Sequence, residues 1–164
     1  MSSPDLIALA AATLHVGRSP ERVLEIGCGD GERALFLARE FPRARIRGVD
    51  PSAEAIRAAS ARVGLDPEGR IAFKLARGAE LPFPDDHFDL IARGGTGSPA
   101  GAEVARVLRP GGELVAFSSG RGRDPLGLRA RRAARGLAKH GFEPLHSGGA
   151  GGGRYLVARL HGGG

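Results

Sequence analysis

Cysteine is almost absent from this chain, with one residue, Cys28, in 164. A single thiol excludes an internal disulfide and a cysteine-built metal centre, and no metal is expected; it also agrees with a reducing compartment. No run of 18 or more apolar residues occurs, which excludes a membrane-spanning helix. The first segment, MSSPDLIALAAATLHVG, lacks a basic leading region and carries Asp5. It is therefore expected to form an amphipathic helix over about residues 4–16 rather than a signal peptide, in a cytoplasmic protein. Lysine is scarce too, at 2 residues against 22 arginines, as coding from a GC-rich genome would give.

The net charge of +6 is unevenly placed. Residues 121–143 hold Arg121, Arg123, Arg129, Arg131, Arg132, Arg135 and Lys139 against Asp124 and Glu143. A basic helix of this kind reads as a solvated face or as a contact with RNA or another polyanion through 121–139. Hydrophobic residues make up 41% of the chain, enough for one domain spanning 1–164 with a sizeable core.

After the first helix, strand and helix patterns alternate. Strands are expected at 23–27, 44–50, 70–76, 88–93, 113–119, 142–147 and 154–160, and most are apolar on both faces, as buried parallel strands are. Helices are expected at 32–41, at 51–64 with Ser52 as cap, and from Ser98-Pro99 to about Leu108, with a basic helix after 119. The alternation implies an α/β fold with a doubly wound, mostly parallel seven-stranded sheet, helices on both faces, and a ligand crevice at the carboxyl ends of the strands. The last two strands, separated by a glycine-rich linker at 148–153, read as an antiparallel pair at one edge.

The stretch VLEIGCGDGERA at 23–34 passes from strand through three alternating glycines into helix. Such a turn lets a ligand approach the backbone without meeting a Cβ and aims a helix N-terminus at an anionic group. A dinucleotide fingerprint would need glycine at 32, where Glu32 stands, and no Gly-Lys-Ser or Gly-Lys-Thr follows, which removes a phosphate loop. Glu25 inside the turn suits a ligand that is positively charged in part.

These residues resemble the class I S-adenosylmethionine-dependent methyltransferases. Glu25–Gly31 is similar to that family's first motif, Gly48-Val49-Asp50 to its second, ELPFPDDHFDLI at 80–91 to its fourth-strand segment, and VLRPGGELV at 107–115 to its turn before strand five. The match runs from about Arg22 to Leu160, with all four in register. It implies a Rossmann-like fold, S-adenosyl-L-methionine as cofactor, and a cofactor site drawn from Glu25, Gly27, Cys28, Gly29, Asp50, Pro51, Gly78, Ala79, Glu80, Leu81 and Arg93. In that site Asp50 would accept the ribose hydroxyls or else cap the helix at 51. Glu25 would shape the turn or meet the ligand's ammonium through water, Leu81 would lie against the adenine, and Cys28 would pack as a small hydrophobe.

Two departures stand out. Arg77 occupies the place where the family often has an adenine-binding acid, and Arg93-Gly94-Gly95-Thr96-Gly97-Ser98 leaves the acceptor wall bare, with no Asp-Pro-Pro-Tyr or Asn-Pro-Pro-Tyr segment. The methyl acceptor is expected to be a small molecule, covered by the N-terminal helix with His15 and Arg18 near the mouth, or by a second subunit in a homodimer. His15, His87, His140 and His146 are candidate bases by chemistry alone and read more readily as surface or packing residues. Ser118 and Ser119 end strand five toward the crevice and would touch the acceptor or cap the next helix.

Overall fold

The structure, a computed structural model, describes residues 3–77, 79–94, 101–119 and 128–162. Along the chain run α1 (Pro4–Thr13), β1 (Arg22–Ile26), α2 (Glu32–Glu40), β2 (Arg45–Asp50), α3 (Ala53–Val63), β3 (Ile71–Leu75), β4 (Phe88–Gly94), α4 (Gly101–Val107), β5 (Leu108–Ser118), α5 (Leu128–Ala138), β6 (Phe142–Ala150) and β7 (Gly153–Leu160). The seven strands form one sheet in the order β3-β2-β1-β4-β5-β7-β6. The strands from β1 to β5 pair in parallel, and the order reverses between β1 and β4, the point where an open α/β sheet forms its crevice.

Two helices start where the sequence supplies a side-chain cap. The Ser3 hydroxyl accepts from Leu6 N–H ahead of Pro4, and the Ser52 hydroxyl accepts from Ala55 N–H. Gly31 precedes α2 with φ 86° and gives no side-chain cap. One apolar layer joins α1 and α2 to the sheet through Leu9, Leu37, Ile46, Leu90 and Val115; the other joins α4 through Leu24, Ile91, Val104 and Leu114.

The strands and helices predicted from the sequence are present, with differences at their ends; β5, expected from 113, begins at Leu108. Helix α1 ends at Thr13, before 16, where His15 N–H turns back to Ala12 O. Residues 148–150 are strand: Gly148, Gly149 and Ala150 pair with Tyr155, Arg154 and Gly153, and only Gly151 and Gly152 make the turn, at φ 56° and 82°. Two consecutive positive φ angles give the tight hairpin connection whose twist suits antiparallel strands. A side chain at 148 would strike the Tyr155 hydroxyl at 2.7 Å, so this strand glycine makes room for a neighbour. As expected, the last two strands form an antiparallel pair at one edge: β7 runs against β5, and β6 returns outside it. The helix expected from Ser98 is seen as Gly101–Val107; Ser98 and Pro99 lie outside the described residues.

Candidate functional site: the glycine turn at the sheet's switch point

The turn after β1 uses its glycines for different reasons. Gly27, Gly29 and Gly31 all have positive φ, 76°, 52° and 86°. A Cβ on Gly27 would meet nothing within 4 Å, so the backbone there is open to an approaching ligand. At Gly31 a Cβ would press on Ala59 and Phe73 at 3.1 and 3.3 Å, so this glycine lets α2 pack against α3 and β3. The turn hangs on β2 through Gly27 N–H and Cys28 N–H, both donated to Val49 O.

Asp50, half-buried at the end of β2, ties the same turn from the side. Its Oδ2 accepts from Gly29 N–H at 3.0 Å and its Oδ1 from Ser52 N–H at 2.9 Å. The side-chain cap of α3 is Ser52, not Asp50. A carboxylate offers about four acceptor positions, so two are left for further donors.

Glu25 is fully buried, and its Oε1 accepts from Arg33 Nε at 2.9 Å. Arg33 also donates to Gly27 O at 2.5 Å and lies with its guanidinium carbon 5.4 Å from the centre of the Phe117 ring. One arginine thus fastens the acid, the glycine turn and the end of β5. Burial pushes the Glu25 carboxyl up to about 7, against the opposing pull of Arg33. Its second oxygen, Oε2, is buried without a hydrogen-bond partner. Arg33 was missed in the sequence, although a cation in a helix's first turn opposes the helix dipole and so signals a local acid.

The remaining candidates differ in their settings. Cys28 is buried against Gly48, and burial pushes its thiol up to about 12, which leaves it unreactive. Arg77 donates Nε to Pro51 O at 3.1 Å and so braces the exposed loop after β2. Leu81 is a core residue at 5% exposure, and its amide donates to Glu103 Oε1 at 2.8 Å. Glu103 and Arg106 together grip the segment: Arg106 donates to Leu81 O, Phe83 O, Asp85 and Glu103. Ala79 and Glu80 are exposed beside it, and Gly78 lies outside the described residues. Arg93, at the end of β4 between Ile26 and Ala116 in register, has its pKa lowered by burial.

The histidines fall elsewhere. His15 and His146 stack at 3.6 Å beside Tyr155, over β6 and β7; His87 precedes β4 at the amino end of the sheet; His140 packs on Gly101. Arg18 lies with Asp89, Pro110 and Glu113 at the amino ends of β4 and β5. It is the start of α1 that nears the carboxyl end of β5, since a Cβ on Gly153 would meet Pro4 O and Ser118 O, whereas Gly17 N–H binds Glu113 at the opposite end. Ser118 is exposed at the end of β5. Among the described residues no group of three or more His, Cys, Asp and Glu side chains is arranged to hold a metal.

Comparison with known proteins places this geometry. The family described as a methyltransferase domain matches residues 23–112, from β1 into β5. Among curated proteins, the fatty-acid O-methyltransferase of Mycolicibacterium smegmatis is 37% identical over 101 residues, 58% of this chain and 36% of that protein. The 27-O-demethylrifamycin SV methyltransferase of Amycolatopsis mediterranei is 35% identical over 105 residues, 60% of this chain and 38% of that one. The chain thus matches a little over a third of the length of these relatives. Among solved structures, a Haloferax volcanii methyltransferase in complex with the Trm112 methyltransferase activator superposes with a TM-score of 0.81 at 15% identity, covering 98% of this chain and 91% of its own. With more than half of its residues matched and a Rossmann-like sheet built around Glu25–Gly31 and Asp50, the chain belongs to the methyltransferase domain family.

Proposed function

We propose that the protein is an S-adenosyl-L-methionine-dependent methyltransferase acting on a small-molecule acceptor. The observation that carries this is the partner-poor polar lining of an open turn: the uncovered backbone at Gly27, the buried, unpaired Oε2 of Glu25, and the two acceptor positions left on Asp50. Unfilled acceptors of this kind fit a ligand with an ammonium and ribose hydroxyls. The cofactor, when bound, supplies a methyl group on a sulfonium.

The chain's own residues bind and orient. Asp50 takes the ribose hydroxyls, Glu25 Oε2 accepts from the ammonium side, and the Gly27–Gly29 backbone gives close approach. Cys28, Pro51, Gly78, Ala79, Glu80 and Arg93 border the same site in this reading. Direct displacement from a sulfonium asks mainly for alignment of nucleophile and methyl, so positioning supplies much of the rate and a dedicated base is not required for every acceptor. The names of the relatives above, a fatty acid and a rifamycin among them, support a small acceptor. A second copy of the chain would cover the bare acceptor wall, the chain would act as one domain, and the free Cys28 suits the cytoplasm. No helix among the described residues is long and apolar enough to cross a membrane.

Titration calorimetry with S-adenosylhomocysteine tests the site. Asp50→Ala should weaken binding by about 1–3 kcal/mol through lost charged hydrogen bonds; unchanged affinity refutes the assignment. A second reading, a cofactor-binding module without catalysis, is favoured by Arg77, which stands where an adenine-binding acid is expected and braces Pro51 instead. Tight S-adenosylhomocysteine binding with no methyl transfer to any fraction of a cell extract would select it.

A further inference from the structure

One face of the sheet is left partly bare. Among the described residues the connection from β3 to β4 forms no helix; its Leu81 and Phe83 pack with Leu24, Ile26 and Val49, while the amino half of this face and its β3 edge stay uncovered. The pairing register sets Arg22 beside Arg45 and Val49 beside Lys74, and strand alternation puts Arg22, Arg45, Arg47 and Lys74 on the face that carries Val49. Arg22, Arg45 and Lys74 are exposed and Arg47 half-exposed.

None of these four cations has an ion-pair partner among the described residues. Of the neighbouring acids, Asp89 binds Arg109 and the amides of Glu21 and Arg22, and Asp85 binds Arg106, while Glu21 and Asp86 stand exposed at the margin. Arg47 spends one nitrogen on the carbonyls of Ile46 and Arg70, which leaves its charge uncompensated. Arginines directly opposite each other on paired strands repel, so Arg22 against Arg45 costs stability unless an anion lies between them. At the margin, Phe83 and His87 stack at 6.4 Å and 12°, and His87 feels the charges of Arg22 and Arg47.

We propose that this bare, basic half-face docks single-stranded RNA, with its phosphates on Arg22, Arg45, Arg47 and Lys74 and a base against the Phe83–His87 rings. Cations spaced by about 5 Å across strands and about 7 Å along them form a flat grid for a flexible polyphosphate chain. The surface offers no projecting helix for a duplex major groove and, beyond Ala72, little apolar area for a lipid interface. A sheet with flanking aromatic rings is a known way to hold unstacked bases.

Fluorescence anisotropy of a labelled, unstructured RNA of about 20 nucleotides tests this between about 50 and 300 mM salt. Four phosphate contacts predict a log–log salt slope of about −3, and Arg45→Glu with Lys74→Glu should weaken binding about tenfold or more and flatten the slope by about half. The matching reversal on α5, Arg131→Glu with Arg135→Glu, should change affinity less than about twofold. Loss carried by the α5 variant would move the RNA to the basic helix and overturn the proposal. Polyglutamate displacing RNA at equal charge would indicate an acidic protein, duplex DNA binding as tightly would remove the single-strand reading, and no binding at the lowest salt would end it. Circular dichroism confirms that the variants fold. The RNA assay needs no cofactor, so its failure is read separately from any failure of S-adenosylhomocysteine binding.

Discussion

Arg33 and Glu25 show how one buried pair can govern a site. The Glu25 carboxyl has an ordinary value of 4.5 and is held at about 7 in the fold. Between these values the native state binds more protons than the unfolded chain, so stability falls as pH rises from about 4.5 to 7 and is level above that. The expected loss is up to about 3 kcal/mol. Urea unfolding at pH 5 and pH 8 should show this decline in the natural protein and its absence in Glu25→Gln; an equal decline in both would refute the role of Glu25. Removing the cation does more harm at high pH. Arg33→Leu should cost about 3 kcal/mol at pH 8, where Glu25 must either stay charged without its cation or take up a proton, and clearly less at pH 5, where a protonated carboxyl needs no cation.

Elements meet at points where no extra atom fits. A Cβ at Gly31 would press on Ala59 and Phe73, and φ 86° strains any L side chain there. Gly31→Val is therefore expected to lower stability by about 2–4 kcal/mol, combining backbone strain with overpacking, as read by thermal unfolding. The segment from Ala79 to Asp85 depends on a different device, the Arg106 guanidinium on α4. Arg106→Ala should cost about 1–2 kcal/mol and weaken S-adenosylhomocysteine binding several-fold, because buried carbonyls and the Glu103 carboxylate lose their donor. Unchanged cofactor affinity would mean that this segment does not shape the site.

At the scale of the whole molecule, the alternation of apolar strands with amphipathic helices was legible because each pattern is local and periodic. The glycine turn and Asp50 were legible for a related reason: backbone freedom and a strand-end acid are written in residue type and spacing. The pairing of Glu25 with Arg33 was not, since it depends on the angle at which α2 leaves the turn. Residues 148–150 read as a linker because glycine is a poor strand former, and cross-strand packing against Tyr155 overrides that preference. Likewise the histidines look alike in the sequence, and only their places in the fold separate a stack over the sheet edge from a catalytic crevice. The run of bases at 121–143 was visible as composition, whereas Arg22, Arg45, Arg47 and Lys74 lie on three separate strands and become one surface only through register. Local chemistry thus specified the fold class and the kind of ligand proposed for the turn. Which charges face each other, and which polar atoms are left without partners, arose from long-range packing that no single stretch of chain contains.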